Sequence, residues 1–307
     1  MSPLIDFHVP GDYASAINYD SPRALKGFLD ERGLGMRKKF GQNFLINPDA
    51  RTRLLDALEI EAGDAVWEIG PGLGAMTTGL LERGAVVYAF ELDPGFVRVL
   101  HELFGGRPAF TLIAGDVLKT WQKTNPPGAY LLGNLPYTIG AIFLAALIEN
   151  NRFFTRMVVT VQREVAHRMG ARPGSKDYSS FSVLCASAYT ITPLMVLKGS
   201  SFYPIPHVDS QGVRFDLRRD IDPAAYPVLF RPLVRHLFAF RRKTIKNNLQ
   251  SFVASRIKWD ALEITMEALE RSGIAGDKRA EMLGIEDFIV LANTIDSLLP
   301  HEVLRST

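Results

Sequence analysis

The sequence predicts an α/β protein in which a doubly wound, mainly parallel sheet is followed by a smaller all-helical domain. Three observations carry this. Between residues 49 and 162, short apolar runs rich in β-branched residues alternate with segments whose apolar residues recur at helical spacing. One of the strands runs straight into a glycine turn that opens a helix. After Asp220-Ile-Asp-Pro223 only helical periodicity remains.

Taken in order, residues 1–35 read as a loosely structured arm with one short helix near Pro22 to Arg32. A helix is expected over Asp49 to Leu58, a strand over Ala65 to Ile69 and a helix over Ala75 to Arg83. Ala85 to Phe90 is the second strand, Pro94 to Phe104 a helix and Ala109 to Ile113 the third strand. Tyr130 to Leu132, a helix from Ile139 to Ile148, and the apolar strand Met157 to Gln162 complete the alternation. Continuous apolar strands of this kind are buried on both faces, as in parallel sheets. Thr190 to Leu197 and Gly212 to Leu217 read as a closing antiparallel pair, the latter with Val213, Phe215 and Leu217 inward. Helices follow at Tyr226 to Phe240, Thr244 to Arg256, Trp259 to Arg271 and Ile285 to Leu298. The expected division is an arm over 1–35, a sheet domain over 36–219 and a helical domain over 220–307.

Composition removes several classes. With 47% hydrophobic and 22% charged residues, the 307-residue chain is globular and not disordered. The longest apolar stretch, Ile139 to Ile148, is too short to span a bilayer. The N-terminus lacks the basic and apolar regions of a signal peptide. Cys185 is the only cysteine, which excludes an intrachain disulfide and points to a reducing, cytoplasmic compartment. His167, His236 and Cys185 show no metal-ligand spacing, and nothing suggests an obligate dimer, so a monomer without metal is expected. Net charge is only +2, but Arg231 to Lys258 holds eight cations and no acid. Arg23 to Lys39 holds six cations against Asp30 and Glu31. Such segregation suits a polyanion held at a defined place. A solvated helix face is the alternative that charge alone leaves open.

The strand Val66-Trp-Glu-Ile-Gly70 leads into Gly70-Pro-Gly72-Leu-Gly74 and at once into a helix. Glycines there let the backbone turn tightly and approach a ligand without a Cβ between them. The spacing is Gly-x-Gly-x-Gly, not that of a dinucleotide fingerprint. Glu91 ends the next strand, where a carboxylate can accept from both hydroxyls of a ribose. Asp116 follows the third strand, where a carboxylate can accept from an adenine amino group. Singly, each is a turn glycine or a helix-capping acid; together, at the ends of successive strands, they describe a nucleoside crevice. Without a phosphate-binding Lys-Ser/Thr signature, and with Glu68 upstream of the glycines, S-adenosylmethionine fits better than NAD or ATP.

Asn134-Leu-Pro-Tyr137 leaves the fourth strand where a plain connector would carry Gly, Asp or Ser. Leu135 precedes a proline and is pushed to an extended conformation that fixes its carbonyl, while Pro136 has no N–H to offer. The Asn134 side-chain oxygen and that carbonyl can both accept from an exocyclic amine and aim its lone pair at a methyl group. Tyr137 can stack on the base that carries the amine. The bland alternative is an Asx-turn with a core tyrosine.

At this point the chain resembles, from about Arg37 to Ser297, the small-subunit ribosomal RNA adenine N6-dimethyltransferases (the KsgA family). Arg37-Lys-Lys-Phe-Gly-Gln-Asn-Phe-Leu45 looks like the family's opening motif, which implies that Gln42, Asn43 and Leu45 line the cofactor pocket. Glu68-Ile-Gly-Pro-Gly-Leu-Gly74, Glu91, Asp116 and Asn134-Leu-Pro-Tyr137 match in order and spacing, with Leu92 and Val117 beside the two acids in the same crevice. Phe202-Tyr-Pro-Ile-Pro-His-Val-Asp-Ser210 looks like the post-catalytic loop, which implies that Phe202 stacks on the face of the target base opposite Tyr137. Phe240-Arg-Arg-Lys-Thr-Ile-Lys-Asn-Asn-Leu249 resembles the basic segment opening the helical domain, and Arg279-Ala-Glu281 fits the C-terminal pattern. The resemblance implies a Rossmann-like class I S-adenosylmethionine-dependent methyltransferase with a seven-stranded sheet. It implies four methyl transfers to two adjacent adenosines near the 3′ end of 16S rRNA, late in small-subunit assembly. RNA phosphates are expected on Arg37, Lys38, Lys39, Arg241, Arg242, Lys243 and Lys246.

Two features depart from the pattern. Ser179-Ser180-Phe181-Ser182-Val183 stands where the family usually has a Gly and a Leu before Ser-Val, and the arm is longer than the usual lead. The rivals are the erythromycin-resistance methyltransferases acting on large-subunit rRNA, a non-catalytic RNA-binding factor on the same scaffold, and a DNA adenine methyltransferase. The Phe202 loop and Arg279-Ala-Glu281 speak against the first, and intact Glu91, Asp116 and Asn134-Leu-Pro-Tyr137 against the second. The third commonly carries Asp or Asn before Pro-Pro-Tyr.

Overall fold

The computed structural model describes residues 17–35, 42–257 and 260–299. A seven-stranded sheet holds, in spatial order, β4 (Phe110–Ala114), β3 (Val86–Glu91), β2 (Ala65–Ile69), β5 (Tyr130–Asn134), β6 (Arg156–Gln162), β9 (Ser210–Leu217) and β7 (Tyr189–Leu197). β4, β3, β2, β5 and β6 are mutually parallel. Strand order reverses direction between β2 and β5, so the crevice of the sheet opens at the carboxyl ends of these strands. Ile69 stands opposite Phe90 on one side and Gly133 on the other, which brings the glycine turn, Glu91 and Asn134 to one edge. A separate two-stranded sheet pairs β1 (Phe44–Leu45) antiparallel with β8 (Phe202–Tyr203).

Local chemistry explains the boundaries. α2 (Pro48–Asp56) and α4 (Pro94–Phe104) each start with proline after a side-chain cap: Asn47 accepts from the Ala50 N–H and Asp93 from the Gly95 N–H. α3 (Ala75–Glu82) starts at Gly74, whose φ of 90° is left-handed. α5 (Val117–Thr124) is a helix absent from the sequence expectation; it buries Val117 and Trp121 at four-residue spacing, and the Asp116 side chain caps it by accepting from Leu118 N–H. α6 (Gly140–Glu149) follows the Asn134 turn.

Contacts divide the chain into two compact units. The first comprises the described residues up to Phe143 with Phe154–Arg163 and Pro193–Phe215. Its core includes fully buried Val66, Val87, Ala89, Leu80 and Val158. Trp67 is buried against the rings of Phe90, Trp121 and Phe154 and donates to the Pro126 carbonyl at 3.1 Å. The described part of the arm is packed, not loose. α1 (Pro22–Glu31), capped by Ser21, buries Leu25 and Leu29 with Ile17 against Leu73, Phe96 and Val99.

The second unit joins Leu144–Phe153, Glu164–Thr192 and the chain from Asp216 onward. It contains α7 (Arg163–Met169) apart from its first residue, α8 (Ser180–Ala186), α9 (Phe230–Ala239), α10 (Ile245–Ala254), α11 (Ala261–Ser272) and α12 (Ile285–Leu298). Leu233, Phe252 and Phe288 are fully buried at its centre, and the Tyr178 hydroxyl donates to the Leu283 carbonyl at 2.8 Å. α9 starts four residues later than its apolar pattern suggests, because Pro227 disfavours helical backbone at Tyr226. Among the described residues, no helix is long and apolar enough to cross a membrane.

Candidate active site

The glycine turn is built for close approach. Gly70, Gly72 and Gly74 all have positive φ, at 68°, 61° and 90°. A Cβ at Gly70 would meet nothing nearer than the Asn134 carbonyl oxygen at 4.0 Å, so the glycine keeps open a space that a side chain would fill. Glu91, 6% exposed, holds the turn from β3: its carboxylate accepts from the N–H of Gly72 at 3.1 Å and of Asp93 at 2.8 Å. Burial pushes its pKa up to about 7, against the opposing pull of those two N–H bonds. Glu68 on β2 is more extreme. Burial raises it to about 8, although the Thr77 hydroxyl donates to it at 2.6 Å.

Two adjoining cavities share Asn43, Phe44, Gly70, Gly72 and Asn134. The larger, about 670 Å³ and open to solvent, adds Gln42, Glu91, Leu92, Asp116 and Val117. The second, about 520 Å³, adds Leu45 and Glu68. All ten residues expected to contact the cofactor therefore line the cleft formed by these two adjoining cavities. Asp116 serves twice, since one carboxylate oxygen caps α5 while the residue borders the cleft. Leu92 is 43% exposed, an apolar surface offered to a flat ring. The donor set fits S-adenosylmethionine: acids on β3 and after β4 for a nucleoside, and a further buried acid beside the glycine turn.

Asn134 sits where the cavities meet. Its side chain donates to the Asn43 carbonyl at 2.7 Å, and a carbonyl can only accept, so the amide nitrogen is fixed on that side. The Asn134 side-chain oxygen is thereby turned the other way. Leu135 is 1% exposed, and its N–H bonds the Thr160 carbonyl at 3.0 Å, which anchors the turn to β6. The Pro136 carbonyl accepts from Ile139 and Gly140 and starts α6. The Tyr137 hydroxyl pairs with the hydroxyl of fully buried Ser210 at 2.7 Å, which fixes the ring of a half-buried tyrosine.

Phe202 departs from its expected place. It is 2% exposed and packs in the core with Leu45, Leu54 and Leu197, held by pairing of Leu45 opposite it. The motif order is local information, whereas burial of its first ring is decided by the β1–β8 pairing. Tyr203, next in the same strand, is half-buried.

Among the expected RNA contacts, Arg37, Lys38 and Lys39 lie outside the described residues. Arg241 is already engaged, donating to the Tyr178 carbonyl at 3.0 Å and to Glu281 at 3.1 Å. Arg242, Lys243 and Lys246 are exposed, and the Lys243 ammonium lies 4.6 Å from the ring centre of Phe240, itself 44% exposed. Sequence reasoning left out Phe44, Phe96 and Tyr19, which also border the cleft, and gave Ser210 no role. Ser210 ends the Phe202 loop motif, so its position was visible; its partner was not.

The sequence profile of the family described as ribosomal RNA adenine dimethylase matches residues 33–296. Ribosomal RNA small subunit methyltransferase A of Treponema denticola is 42% identical over 294 residues, covering 94% of this chain and 99% of that protein. The protein of the same name from Geobacter sulfurreducens is 35% identical over 268 residues, covering 84% and 95%. A dimethyladenosine transferase from Plasmodium falciparum has a similar structure, with a TM-score of 0.71 at 24% identity over 80% of this chain and 94% of that one. The 23S rRNA methyltransferase ErmE gives 0.59 at 21% identity, over 82% and 99%. The two structures share the fold with this chain, and the sequence match takes in the glycine turn, the Asn134 turn and the basic helical segment alike. The chain belongs to the ribosomal RNA adenine dimethylase family.

Proposed function

We propose that the chain dimethylates the N6 amino groups of two adjacent adenosines near the 3′ end of small-subunit (16S) rRNA, on a late precursor of the small ribosomal subunit. The cofactor is S-adenosylmethionine. When bound, it supplies an electrophilic methyl group on a sulfonium. Glu91 and Asp116 would hold its nucleoside, and the Gly70–Gly74 turn its body, with Leu92 and Val117 against the ring.

The observation that carries the reading is the fixed Asn134 amide. Its oxygen accepts a hydrogen bond from the N–H of the target amine and so aims the nitrogen lone pair. The neutral amide leaves that nitrogen nucleophilic, and no strong base is required, because a methylated amine cation is acidic enough to lose a proton to water. Positioning and electrostatic complementarity then supply most of the rate. Tyr137, its ring held by Ser210, offers a face for the extruded adenine. Phe202 reaches such a base only if the β1–β8 pair shifts, so Tyr137 carries the stacking in this reading. Arg242, Lys243 and Lys246 engage RNA phosphates, with Arg37, Lys38 and Lys39 as a second cationic segment.

The test is nucleoside analysis of the 3′ fragment of small-subunit rRNA from a strain that lacks this modification. Supplying the wild-type chain is expected to restore two adjacent dimethyladenosines, and Asn134→Ala none. Restoration by Asn134→Ala contradicts the assigned role of the amide.

A further inference from the structure

The two cavities divide the cofactor. Glu91 and Asp116 border only the larger, so a nucleoside held by them extends its amino-acid end into the smaller, beside Glu68. The wall of that smaller cavity includes Tyr19 and Leu25, which come from the arm. Resting on the reading of this cleft as the S-adenosylmethionine site, we propose that Tyr19 is a positioning residue: with α1 behind it, Tyr19 closes the amino-acid end of the cofactor and holds the glycine turn in shape.

Three contacts place it there. The Tyr19 hydroxyl donates to the Leu73 carbonyl at 2.9 Å, inside the turn between Gly72 and Gly74. Burial pushes its pKa up to about 12, so it remains a donor throughout the working range. Ile17, Leu25 and Leu29 are at most 5% exposed and pack with Leu73 and Phe96, so the backbone carrying Tyr19 is anchored independently of the hydroxyl. Asp20 pairs with Arg51, whose other guanidinium nitrogen donates to the Leu45 carbonyl at 2.9 Å. The arm is thus tied both to the glycine turn and, through Arg51, to β1. A wall that excludes water there strengthens every polar contact to the charged ammonium and carboxylate of the cofactor. Neither Tyr19 nor Leu25 lines the larger cavity, where Glu91 and Asp116 stand.

Calorimetric titration of the full-length wild type, Tyr19→Phe and Tyr19→Ala tests this with three probes. They are S-adenosylmethionine, S-adenosylhomocysteine and 5′-methylthioadenosine, the last lacking the amino-acid end. Tyr19→Phe is expected to weaken the first two by roughly three- to tenfold, the worth of one hydrogen bond, and to leave the third unchanged. Tyr19→Ala is expected to widen that gap. Should Tyr19→Ala melt early, Tyr19→Phe, which keeps the ring, decides alone. Unchanged affinities for all three probes, or an equal loss for all three, overturn the proposal. Failure of the wild type to bind S-adenosylmethionine overturns the cofactor-site reading itself, and the proposal with it.

Discussion

One end of the Asn134 amide decides what the other end can do. Because its nitrogen is committed to the Asn43 carbonyl, its oxygen is presented in one orientation. Replacing it with alanine removes an acceptor and also the donor to the Asn43 carbonyl. Asn134→Ala is expected to lower the rate of methyl transfer by about a hundredfold or more, while S-adenosylmethionine affinity, read by titration, changes far less. A comparable loss in both would mean that Asn134 acts on cofactor binding and not on the amine. Glu68 makes a second residue-scale prediction. Its pKa rises from 4.5 to about 8 in the fold. Between those values the folded state holds the proton that the unfolded chain releases, so the ligand-free protein loses stability as pH rises through that window. Melting temperatures from pH 5.5 to 8.5 are expected to fall, and Glu68→Gln, which still accepts from Thr77, is expected to flatten the slope. An unchanged slope in that variant would place the titration elsewhere, Glu91 being the next candidate.

At the scale of elements, the glycine turn is fixed by backbone conformation and by crowding together. A Cβ on Gly74, where φ is 90°, would lie 2.5 Å from the Phe104 ring. Gly74→Ala is expected to destabilise the protein by about 2–4 kcal/mol, the left-handed penalty plus overpacking, measured by denaturant unfolding. A change under about 0.5 kcal/mol would show that α4 gives way freely. This turn was legible in the sequence because strand, glycines and helix are contiguous. So were β2, β3 and the Asn134 turn, whose apolar runs are bounded by residues with one conformational meaning. α5 was not, since its buried face is marked by only Val117 and Trp121 over eight residues, little more than two turns. β1 and β8 are two-residue strands that exist through their pairing with each other, and that pairing is what buries Phe202. Ten of the residues that line the two cavities were legible one by one from motifs. The arm's share in the cleft was not, because Tyr19 and Leu73 are 54 residues apart and no local pattern joins them.

At the scale of the whole molecule, the uneven charge is what suits a nearly neutral protein to RNA. Arg241 is engaged by Tyr178 and Glu281, so the proposed phosphate contacts fall to exposed Arg242, Lys243 and Lys246. Joint substitution of Arg242 and Lys243 by glutamate is expected to weaken small-subunit binding about tenfold or more and to reduce the salt slope by about two. S-adenosylmethionine affinity is expected to stay as it was, and an unaltered salt slope would contradict the assignment. The central claim is the reaction itself. Its most direct measurement incubates purified protein and radiolabelled S-adenosylmethionine with small subunits from a strain lacking the modification. Large subunits and deproteinised rRNA run in parallel, and all products are digested to nucleosides. The account predicts labelled dimethyladenosine from small subunits only. Label in large-subunit RNA, or tight small-subunit binding with no label anywhere, would contradict it.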